Sequence, residues 1–422
     1  MTFRFLHAAD IHLDSPLRGL ARRGELAGVF REASRRALEN LVQAAIDAKV
    51  AFVVIAGDIY DGDWKDYATG QFFVRQMGRL ARADIRVFMI RGNHDAESLI
   101  SRSLTLPGNV FSFSVRSVQT ETIEDLRVAL HGRGFANRHV PDNVALAYPR
   151  ARPGYFNIGV LHTSLTGRDG HDAYAPCSVE DLARAGYDYW ALGHVHMREV
   201  VSRDPVIVFP GNLQGRHARE TGPKGATLVT VTDGRITEIE ALTLDAARFE
   251  AIEIDVAAFA EPADLYGAAR AAIAGAHDSA EGRPLALRLT LTGASALHDF
   301  LSVQAEQVRE EMQALAWEAG SDILIEKVRD KTTAASAGVA RISTLLGFDA
   351  ILAEVAADPA FRAEIARTLG ELRARAPAEA LALIDAEEAG DGDALAGAAI
   401  DTATEAILAG LGSVGAEPEG AR

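Results

Sequence analysis

Cysteine is almost absent from this chain, since Cys177 is the single thiol among 422 residues. An intramolecular disulfide is therefore excluded, and we expect Cys177 to be a packed side chain rather than a nucleophile. Apolar runs of about 18 residues, which a membrane-spanning helix needs, are also missing. The N-terminus shows no signal-peptide pattern. These absences predict a protein of the reducing cytoplasm that has no membrane partner.

A P-loop of the form G-x-x-x-x-G-K-[ST] is missing as well, so we expect any ATP-driven step to come from another protein. Positive charge is scarce overall, because the net charge is −16 at pH 7. The deficit is uneven, since residues 1–225 hold 28 Lys and Arg against 25 Asp and Glu, a balance of +3 that leaves −19 for the remainder. The acidity of the whole chain therefore does not exclude a phosphodiester substrate.

Apolar runs alternate with helical patterns through the first ninety residues or so. The runs Phe3–Ala9, Phe52–Ala56 and Ile85–Ile90 predict buried strands. Helical periodicity extends over Phe30–Lys49 and Asp66–Leu80. This β-α-β-α-β order predicts an α/β fold, in which a layered sheet is covered by helices.

Short strand-like runs continue to about residue 245, where we place the end of a first domain over residues 1–245. Residues 109–135 predict a meander of strands, and residues 137–148 a helix. Later runs predict further strands, and an Asp-Gly pair predicts a closing hairpin. These runs are Phe156–Leu161, Tyr187–Leu192, Val206–Phe209, Ala226–Val231 and Ile236–Leu242.

The remaining sequence predicts two further regions and a tail. Strand and helix patterns alternate over residues 246–332, which predicts a small α+β cap domain. Residues 333–411 are rich in Ala, Glu and Leu and predict a C-terminal helical region, with helices that include Pro377–Ile384 and Leu395–Leu411. Residues 412–422 are expected to form a disordered tail.

Residues of the types that can bind metal ions follow five of the predicted strands. Each one alone is better explained as a turn residue or a hydrogen-bonded structural histidine. Together they stand at carboxyl ends of strands in an α/β pattern, so they can converge on one edge of a sheet. The mixture of carboxylate, amide and imidazole groups favours Mn²⁺ or Fe²⁺ over a thiolate-type zinc site. The candidate ligands are Asp10, His12, Asp58, Asn93, His162, His194 and His196.

Seven ligands exceed the number that one ion needs. If Asp58 is shared, they divide into Asp10, His12, Asp58 and His196 on one side, and Asp58, Asn93, His162 and His194 on the other. Two ions bridged by one carboxylate would lie ~3.5–4 Å apart, the spacing used for phosphoryl displacement. A water that bridges two such cations is acidified and is the expected nucleophile.

His94 and Asp95 follow the ligand Asn93 directly. His94 is expected to point over the site, where an imidazolium would stabilise the pentacovalent phosphate or protonate the leaving oxygen. A purely structural role is the alternative for His94. Asp95 is expected to orient His94 or to cap the following helix.

These residues resemble a known signature. The motifs Asp10-x-His12, Gly57-Asp58, Gly92-Asn93-His94-Asp95, His162 and Gly193-His194-x-His196 resemble the five motifs of calcineurin-like metallophosphoesterases. Within that superfamily, residues 6–14 are similar to the DNA repair exonucleases of the SbcD type, and residues 162–196 and 210–216 to the YhaO branch. Some relatives carry a histidine three residues after the shared aspartate, where this chain has Asp61.

The resemblance implies a metallophosphoesterase β-sandwich flanked by helices, two Mn²⁺ ions with Fe²⁺ or Mg²⁺ as alternatives, and a homodimer. It also implies a coiled-coil ATPase partner of the SbcC or YhaN type, on which we expect the C-terminal helices to dock. The predicted function is a Mn²⁺-dependent DNA phosphodiesterase, an exonuclease or endonuclease of DNA repair. Two alternatives stay open: a phosphodiesterase for small molecules such as cyclic nucleotides, and a scaffold with a degenerate metal site. Weaker candidates for phosphate contacts are Arg168, His171, Arg216 and His217.

Overall fold

A computed structural model describes residues 1–15, 26–61, 67–95, 104–165, 174–335 and 348–375, together with positions 397, 399, 400, 403 and 404. These residues form two compact units, the first ending at Phe249 and the second beginning at Glu250. Each unit is described by itself. No helix in the described ranges is long and apolar enough to cross a membrane.

The first unit is built on two six-stranded sheets. The first sheet has the strand order β12-β11-β1-β2-β3-β4, and its strands β1 to β4 run parallel to one another. Its strands are β1 Thr2–Ala8, β2 Phe52–Ala56, β3 Arg86–Ile90, β4 Val110–Ser112, β11 Gly225–Thr232 and β12 Arg235–Thr243. The helices α1 Leu26–Asp47 and α2 Tyr67–Arg82 connect β1, β2 and β3.

The second sheet has the order β5-β6-β7-β8-β10-β9, and β6, β7, β8 and β10 run parallel. Its strands are β5 Gln119–Ile123, β6 Val128–Gly132, β7 Phe156–His162, β8 Tyr189–Gly193, β9 Glu199–Arg203 and β10 Val206–Phe209. A short helix, α3 Val179–Ala183, precedes β8. Ser178 caps α3 through a capping box with Asp181.

Alternating side chains of each strand determine the layers. In β2, Phe52 and Val54 belong to the apolar cluster between the two sheets, whereas Val53 and Ile55 belong to the cluster under α1 and α2. Phe5 stacks on Phe52 at 5.1 Å within the sandwich. Aromatic pairs of this kind contribute about 0.5–1.5 kcal/mol beyond the area that they bury. The predicted α/β fold, a β-sandwich flanked by helices, is confirmed.

Two local predictions were wrong, and one strand was not predicted. Val110–Ser112 pairs with β3 and so completes the first sheet, instead of beginning a meander with β5. Residues 137–148 form only a 3₁₀ turn at Val144–Ala147, whose start is capped by Asn143. The strand Glu199–Arg203 was missed, because its burial is partial and its pattern does not alternate. The predicted hairpin with an Asp233-Gly234 turn is confirmed.

The second unit contains a three-stranded sheet of order β13-β14-β15, in which β14 and β15 are parallel. Leucines and isoleucines from β14 and β15 pack with α4 and α6 in one apolar core. The elements are β13 Arg248–Asp255, α4 Pro262–Ser279, β14 Leu285–Ser295, α5 His298–Val303, α6 Ala305–Ala319, β15 Ile323–Ala334, α7 Phe348–Ala357 and α8 Pro359–Arg375. The predicted helix Pro377–Ile384, most of Leu395–Leu411 and the predicted tail lie outside the described residues.

Candidate metal centre

The candidate ligands stand at the ends of five parallel strands, three from the first sheet and two from the second. Six of them follow β1, β2, β3 or β8, and His162 is the last residue of β7. Backbone hydrogen bonds tie neighbouring turns together, since Asp10 N donates to Gly57 O at 3.0 Å and His12 N to Asp58 O at 3.1 Å. The two sheets therefore bring all five motifs to one edge of the sandwich, as carboxyl ends of parallel strands allow.

Four candidate ligands adopt a left-handed backbone that non-glycine residues rarely use. Their φ angles are 49° at Asp10, 44° at His12, 52° at Asp58 and 100° at His194. Such conformations cost on the order of 1–3 kcal/mol each and persist where the surrounding structure holds them. The sharp turns that result aim several side chains from different strands at one point.

Glycine precedes three of the ligands because no side chain fits there. A Cβ atom at Gly92 would lie 2.1 Å from Asp58 Oδ1, and one at Gly193 would lie 2.1 Å from Ala56 O. Gly57 has a φ of 95° and would meet His162 Nδ1 at 2.7 Å. Glycine at these three positions therefore permits the close approach of neighbouring chain segments around the cluster.

The first predicted ligand set converges. His12 Nε2 lies 3.2 Å from His196 Nε2 and 3.8 Å from Asp58 Oδ2. His196 Nε2 lies 3.7 Å from Asp10 Oδ1. Ligand atoms bonded at about 2.1 Å to one octahedral ion are about 3 Å apart when adjacent. The spacing and the chemistry of these four groups therefore fit a divalent cation.

The second predicted set shares one atom with the first. His162 Nε2 lies 3.3 Å from Asp58 Oδ2, the same oxygen that faces His12, and 2.9 Å from Asn93 Oδ1. Asp58 Oδ1 instead accepts from His94 N at 3.0 Å. The ring of His194 lies 5.2 Å from that of His162, between centroids. The structure thus brings the ligand atoms of six candidates together, and it places the seventh, His194, against the ring of His162.

In two histidines, a neighbouring oxygen determines which ring nitrogen donates a hydrogen bond. His162 Nδ1 lies 2.9 Å from Ala56 O, and His196 Nδ1 lies 2.6 Å from Glu220 Oε1. Carbonyl and carboxylate oxygens only accept, so Nδ1 of each ring donates and Nε2 is the nitrogen that faces the cluster. A cation bound there would replace the proton on Nε2 and would be shared with the carboxylate and amide oxygens nearby.

The electrostatics of the cluster favour positive charge. Burial opposes the charge of Asp58, but the charge and hydrogen bond of His162 outweigh it and hold the Asp58 pKa well below its usual range. Burial lowers the pKa of His162, yet the charge and hydrogen bond of Asp58 prevail and raise it to about 9. A buried carboxylate that stabilises a neighbouring imidazolium this strongly would also stabilise a metal cation.

His94 pairs with Asp61 at the rim of the cluster. His94 Nδ1 lies 3.1 Å from Asp61 Oδ1, and Ser15 Oγ donates to Asp61 Oδ2 at 2.6 Å. Burial lowers the pKa of His94, but the hydrogen bond to Asp61 and the charges of Asp58 and Asp61 raise it above its ordinary value. The His94 side chain is 25% exposed, so its imidazolium is available to a substrate.

The carboxylate of Asp95 binds backbone amides. Its buried carboxylate accepts from Ile59 N at 3.0 Å, Tyr60 N at 2.9 Å and Gly92 N at 3.0 Å. Among the described residues, His94 pairs with Asp61, and the Asp95 carboxylate binds these backbone amides. The predicted cap of the following helix concerns residues 96–100, which lie outside the described residues. Asp95 joins the turn after β2 to the turn after β3, which positions Asp58 and Asn93 side by side.

Glu220 is a site residue that sequence reasoning missed. It holds His196 Nδ1 at 2.6 Å and also accepts from Asn212 Nδ2 at 2.8 Å. A carboxylate behind a ligating histidine fixes the orientation of the ring. No local pattern marks Glu220, because it lies 24 residues from His196 in the chain. Arg168 and His171 lie outside the described residues.

Comparison with known proteins gives two family matches. The model for calcineurin-like phosphoesterases matches residues 3–198, which include all seven candidate ligands. The model for the middle domain of metallophosphoesterase YhaO matches residues 249–333. An uncharacterized metallophosphoesterase YhaO from Bacillus subtilis strain 168 is 34% identical over 329 residues, which cover 73% of this chain and 78% of that protein.

More distant similarity extends to archaeal proteins. The DNA double-strand break repair protein Mre11 of Archaeoglobus fulgidus is 26% identical over 241 residues, 51% of each chain. The Mre11 protein of Methanopyrus kandleri is 24% identical over 275 residues, 58% of each chain. The match thus spans little more than half of these two proteins.

Proposed function

This chain belongs to the calcineurin-like metallophosphoesterases of the YhaO type, a family of phosphoester hydrolases that use divalent metal ions, and we propose that it is a Mn²⁺-dependent DNA phosphodiesterase acting in DNA repair. The observation that carries the proposal is the pair of ligand sets sharing Asp58 Oδ2, with His94 at their rim. The similarity to proteins named for double-strand break repair supports DNA as the substrate.

We assign the metal ligands as predicted: Asp10, His12, Asp58 and His196 in one set, and Asp58, Asn93, His162 and His194 in the other. Mn²⁺ is the proposed ion because oxygen and imidazole donors are mixed and no thiolate is present. Two bound cations would neutralise phosphate charge and lower the pKa of water at the site. The shared carboxylate positions both sets relative to one phosphate.

His94 supplies the proton for the leaving oxygen. Its Nδ1 faces Asp61, so the second ring proton of the imidazolium sits on Nε2, the nitrogen left for the substrate. Asp61 keeps that imidazolium charged at a pH where a free histidine would be neutral. General acids placed in this way contribute about 10²–10⁴-fold to a rate.

Cleavage of labelled linear DNA by the purified protein with Mn²⁺ tests this function. The wild type is compared with an Asn93→Ala/His94→Ala double variant, and bis-p-nitrophenyl phosphate is the small control substrate. We expect the wild type to cut DNA and the double variant to cut neither substrate. Cleavage of the small ester alone would favour a small-molecule phosphodiesterase, and no metal-dependent cleavage of either substrate would favour a scaffold.

The proposal extends to partners. We propose a homodimer formed through the first unit, and docking of the C-terminal helices on a coiled-coil ATPase of the SbcC or YhaN type. The helices α7 and α8 expose apolar side chains that a partner would cover, among them Ile351 at 55% and Leu372 at 63% exposure. Exposed apolar side chains on a helix are suited to contact with a helical partner.

A further inference from the structure

The loop from Asn212 to Glu220 brings Arg216 to the rim of the metal-binding cluster. Leu213 N donates to Asp10 O at 3.3 Å, and Asn212 N donates to His196 O at 3.2 Å. The start of the loop is therefore tied to two of the metal motifs. A side chain close to these hydrogen bonds therefore has a fixed position relative to the two metal motifs.

Glu220 fixes the backbone of Arg216 from the other side. Arg216 N donates to Glu220 Oε2 at 2.7 Å. The preceding residue, Gly215, leaves no room for a side chain, because a Cβ atom there would lie 2.8 Å from Glu220 O. The direction in which Arg216 leaves the loop is thus determined by the backbone.

The guanidinium of Arg216 lies between two carboxylates, but these carboxylates do not use all of its N–H groups. Nη1 is 3.8 Å from Asp61 Oδ1, and Nη2 is 3.4 Å from Glu220 Oε1. Both contacts exceed the 2.7–2.9 Å or so of a close charge-assisted hydrogen bond. Within the described residues, Nε is buried and has no hydrogen-bond partner. Arg216 therefore has N–H groups left for another acceptor.

Each of the two carboxylates near Arg216 also contacts a histidine of the site. Asp61 faces His94, and Glu220 faces His196. The guanidinium consequently lies between the proton donor and the first ligand set, and the side chain is 19% exposed. A phosphodiester bound to the cluster with its leaving oxygen near His94 would bring a non-bridging oxygen within reach.

We propose that Arg216 is a phosphate-binding residue that donates to a non-bridging oxygen of the scissile phosphodiester, an inference that rests on the proposed phosphodiesterase function. A guanidinium offers a planar fork of donors that matches phosphate oxygens, whereas an ammonium offers a point charge. Arg216 thus supplies positive charge on the side of the phosphate that the ligand sets leave open. Specificity for an anionic ester follows from this arrangement.

The test uses the full chain with Arg216→Gln and Arg216→Lys, and with Arg219→Gln as a control that removes the same charge from the same loop. The first readout is the inhibition constant of inorganic phosphate against bis-p-nitrophenyl phosphate at saturating Mn²⁺. We expect Arg216→Gln to raise this constant about 10- to 100-fold, the worth of a hydrogen bond to a charged group, and Arg216→Lys to raise it less. Arg219→Gln should change it by no more than about twofold.

The second readout is Mn²⁺ affinity without phosphate, measured by calorimetry. If Arg216 contacts phosphate, the Mn²⁺ affinity of both variants stays near that of the wild type. A phosphate constant that does not change, or a loss of Mn²⁺ affinity that matches the loss of phosphate binding, would overturn the inference, since Arg216 would then only support Glu220 and His196. If Arg216→Gln melts well below the wild type, Arg216→Lys carries the same comparison.

A failure of the proposed function looks different. If the wild type with Mn²⁺ hydrolyses neither DNA nor the small ester, the phosphodiesterase function fails. Direct calorimetric titration of the Mn²⁺-loaded chain with inorganic phosphate then tests Arg216 on its own. Weaker phosphate binding by Arg216→Gln, but not by Arg219→Gln, would still support the inference, and equal binding would overturn it.

Discussion

Two histidines of the cluster owe their orientation to an acceptor behind the ring. Ala56 O holds His162, and the carboxylate of Glu220 holds His196. Each partner is far away in the chain, so the sequence carries the histidine but no mark of what orients it. Asp61 shows the same limit: its place after Asp58 was visible as a departure from some relatives, but its contact with His94 was not.

Asp61 sets the protonation of His94, and this can be tested by Asp61→Asn. Without the carboxylate, the pKa of His94 falls, so the acid form is lost at a lower pH. We expect the activity on bis-p-nitrophenyl phosphate at neutral pH to fall roughly 10- to 100-fold. The alkaline limb of the pH–rate profile, where activity falls as His94 loses its proton, should also move to lower pH. A profile with the wild-type limb would contradict the assignment.

Cys177 offers a test of burial at a single residue. Its thiol is buried, contacts Thr163 Oγ1 at 3.5 Å, and has its pKa raised by burial to about 11. The raised pKa leaves less of the reactive thiolate at pH 8, and the buried sulfur is shielded from a reagent. We expect an aromatic disulfide reagent to modify Cys177 only after denaturation. Rapid modification of the folded chain would contradict the packed, unreactive role.

At the scale of elements, the turns after the strands carry the site. Each parallel strand delivers its motif to the same edge, and a left-handed residue or a glycine then turns the chain inward. Asp95 joins two of these turns through backbone amides. The geometry of the site is therefore a property of the turns, which the sheets hold at fixed spacing.

Gly92→Ala tests the close approach of two turns. The new Cβ would lie 2.1 Å from Asp58 Oδ1, so Asp58 must move and both ligand sets lose their shared atom. We expect a loss of Mn²⁺ affinity of at least about tenfold, as substitutions around metal ligands cause. Gly28→Ala is the matched control, because Gly28 lies in α1 with nothing within 4 Å. That change should leave Mn²⁺ binding intact and stabilise the chain by about 0.5–1 kcal/mol. Unchanged Mn²⁺ affinity in Gly92→Ala would contradict the geometry.

Strands, helices and the positions of the motifs could be predicted because periodicity and turn residues are local signals. Which strands pair with each other could not be predicted, and β4 is an example. The apolar pattern of Val110–Ser112 indicates a strand, but its pairing with β3 depends on the packing of residues far away in the sequence. The backbone contacts of Asp95 could not be predicted for the same reason. Its nearest neighbour in sequence is His94, yet the amides of Ile59 and Tyr60, brought near by β2 and β3, bind it.

At the scale of the whole molecule, the acidic second half of the chain calls for a partner other than DNA. The balance of −19 beyond residue 225 disfavours binding to a polyanion, whereas the +3 of the first part does not. This charge distribution supports the proposed division, with substrate binding at the first unit and partner binding at the C-terminal helices.

Deletion of residues 335–422 tests that division, because the cut follows the end of β15. We expect the shortened chain to hydrolyse bis-p-nitrophenyl phosphate at the wild-type rate and to lose association with a purified ATPase of the SbcC or YhaN type. Ile351→Glu/Leu372→Glu, which charges two exposed apolar positions, should weaken association without changing hydrolysis. If the shortened chain still associates with the ATPase, the docking role is contradicted. If it loses both hydrolysis and association, the C-terminal helices have no docking role separate from catalysis.

The central claim is a pair of metal sites that share Asp58, and Mn²⁺ stoichiometry tests it most directly. Calorimetry and elemental analysis of the wild type should give two tightly bound ions per chain. Asn93→Ala should keep one of them, since the set of Asp10, His12, Asp58 and His196 stays intact, and Asp58→Ala should keep neither. A single ion in the wild type, or two ions retained by Asp58→Ala, would contradict the account.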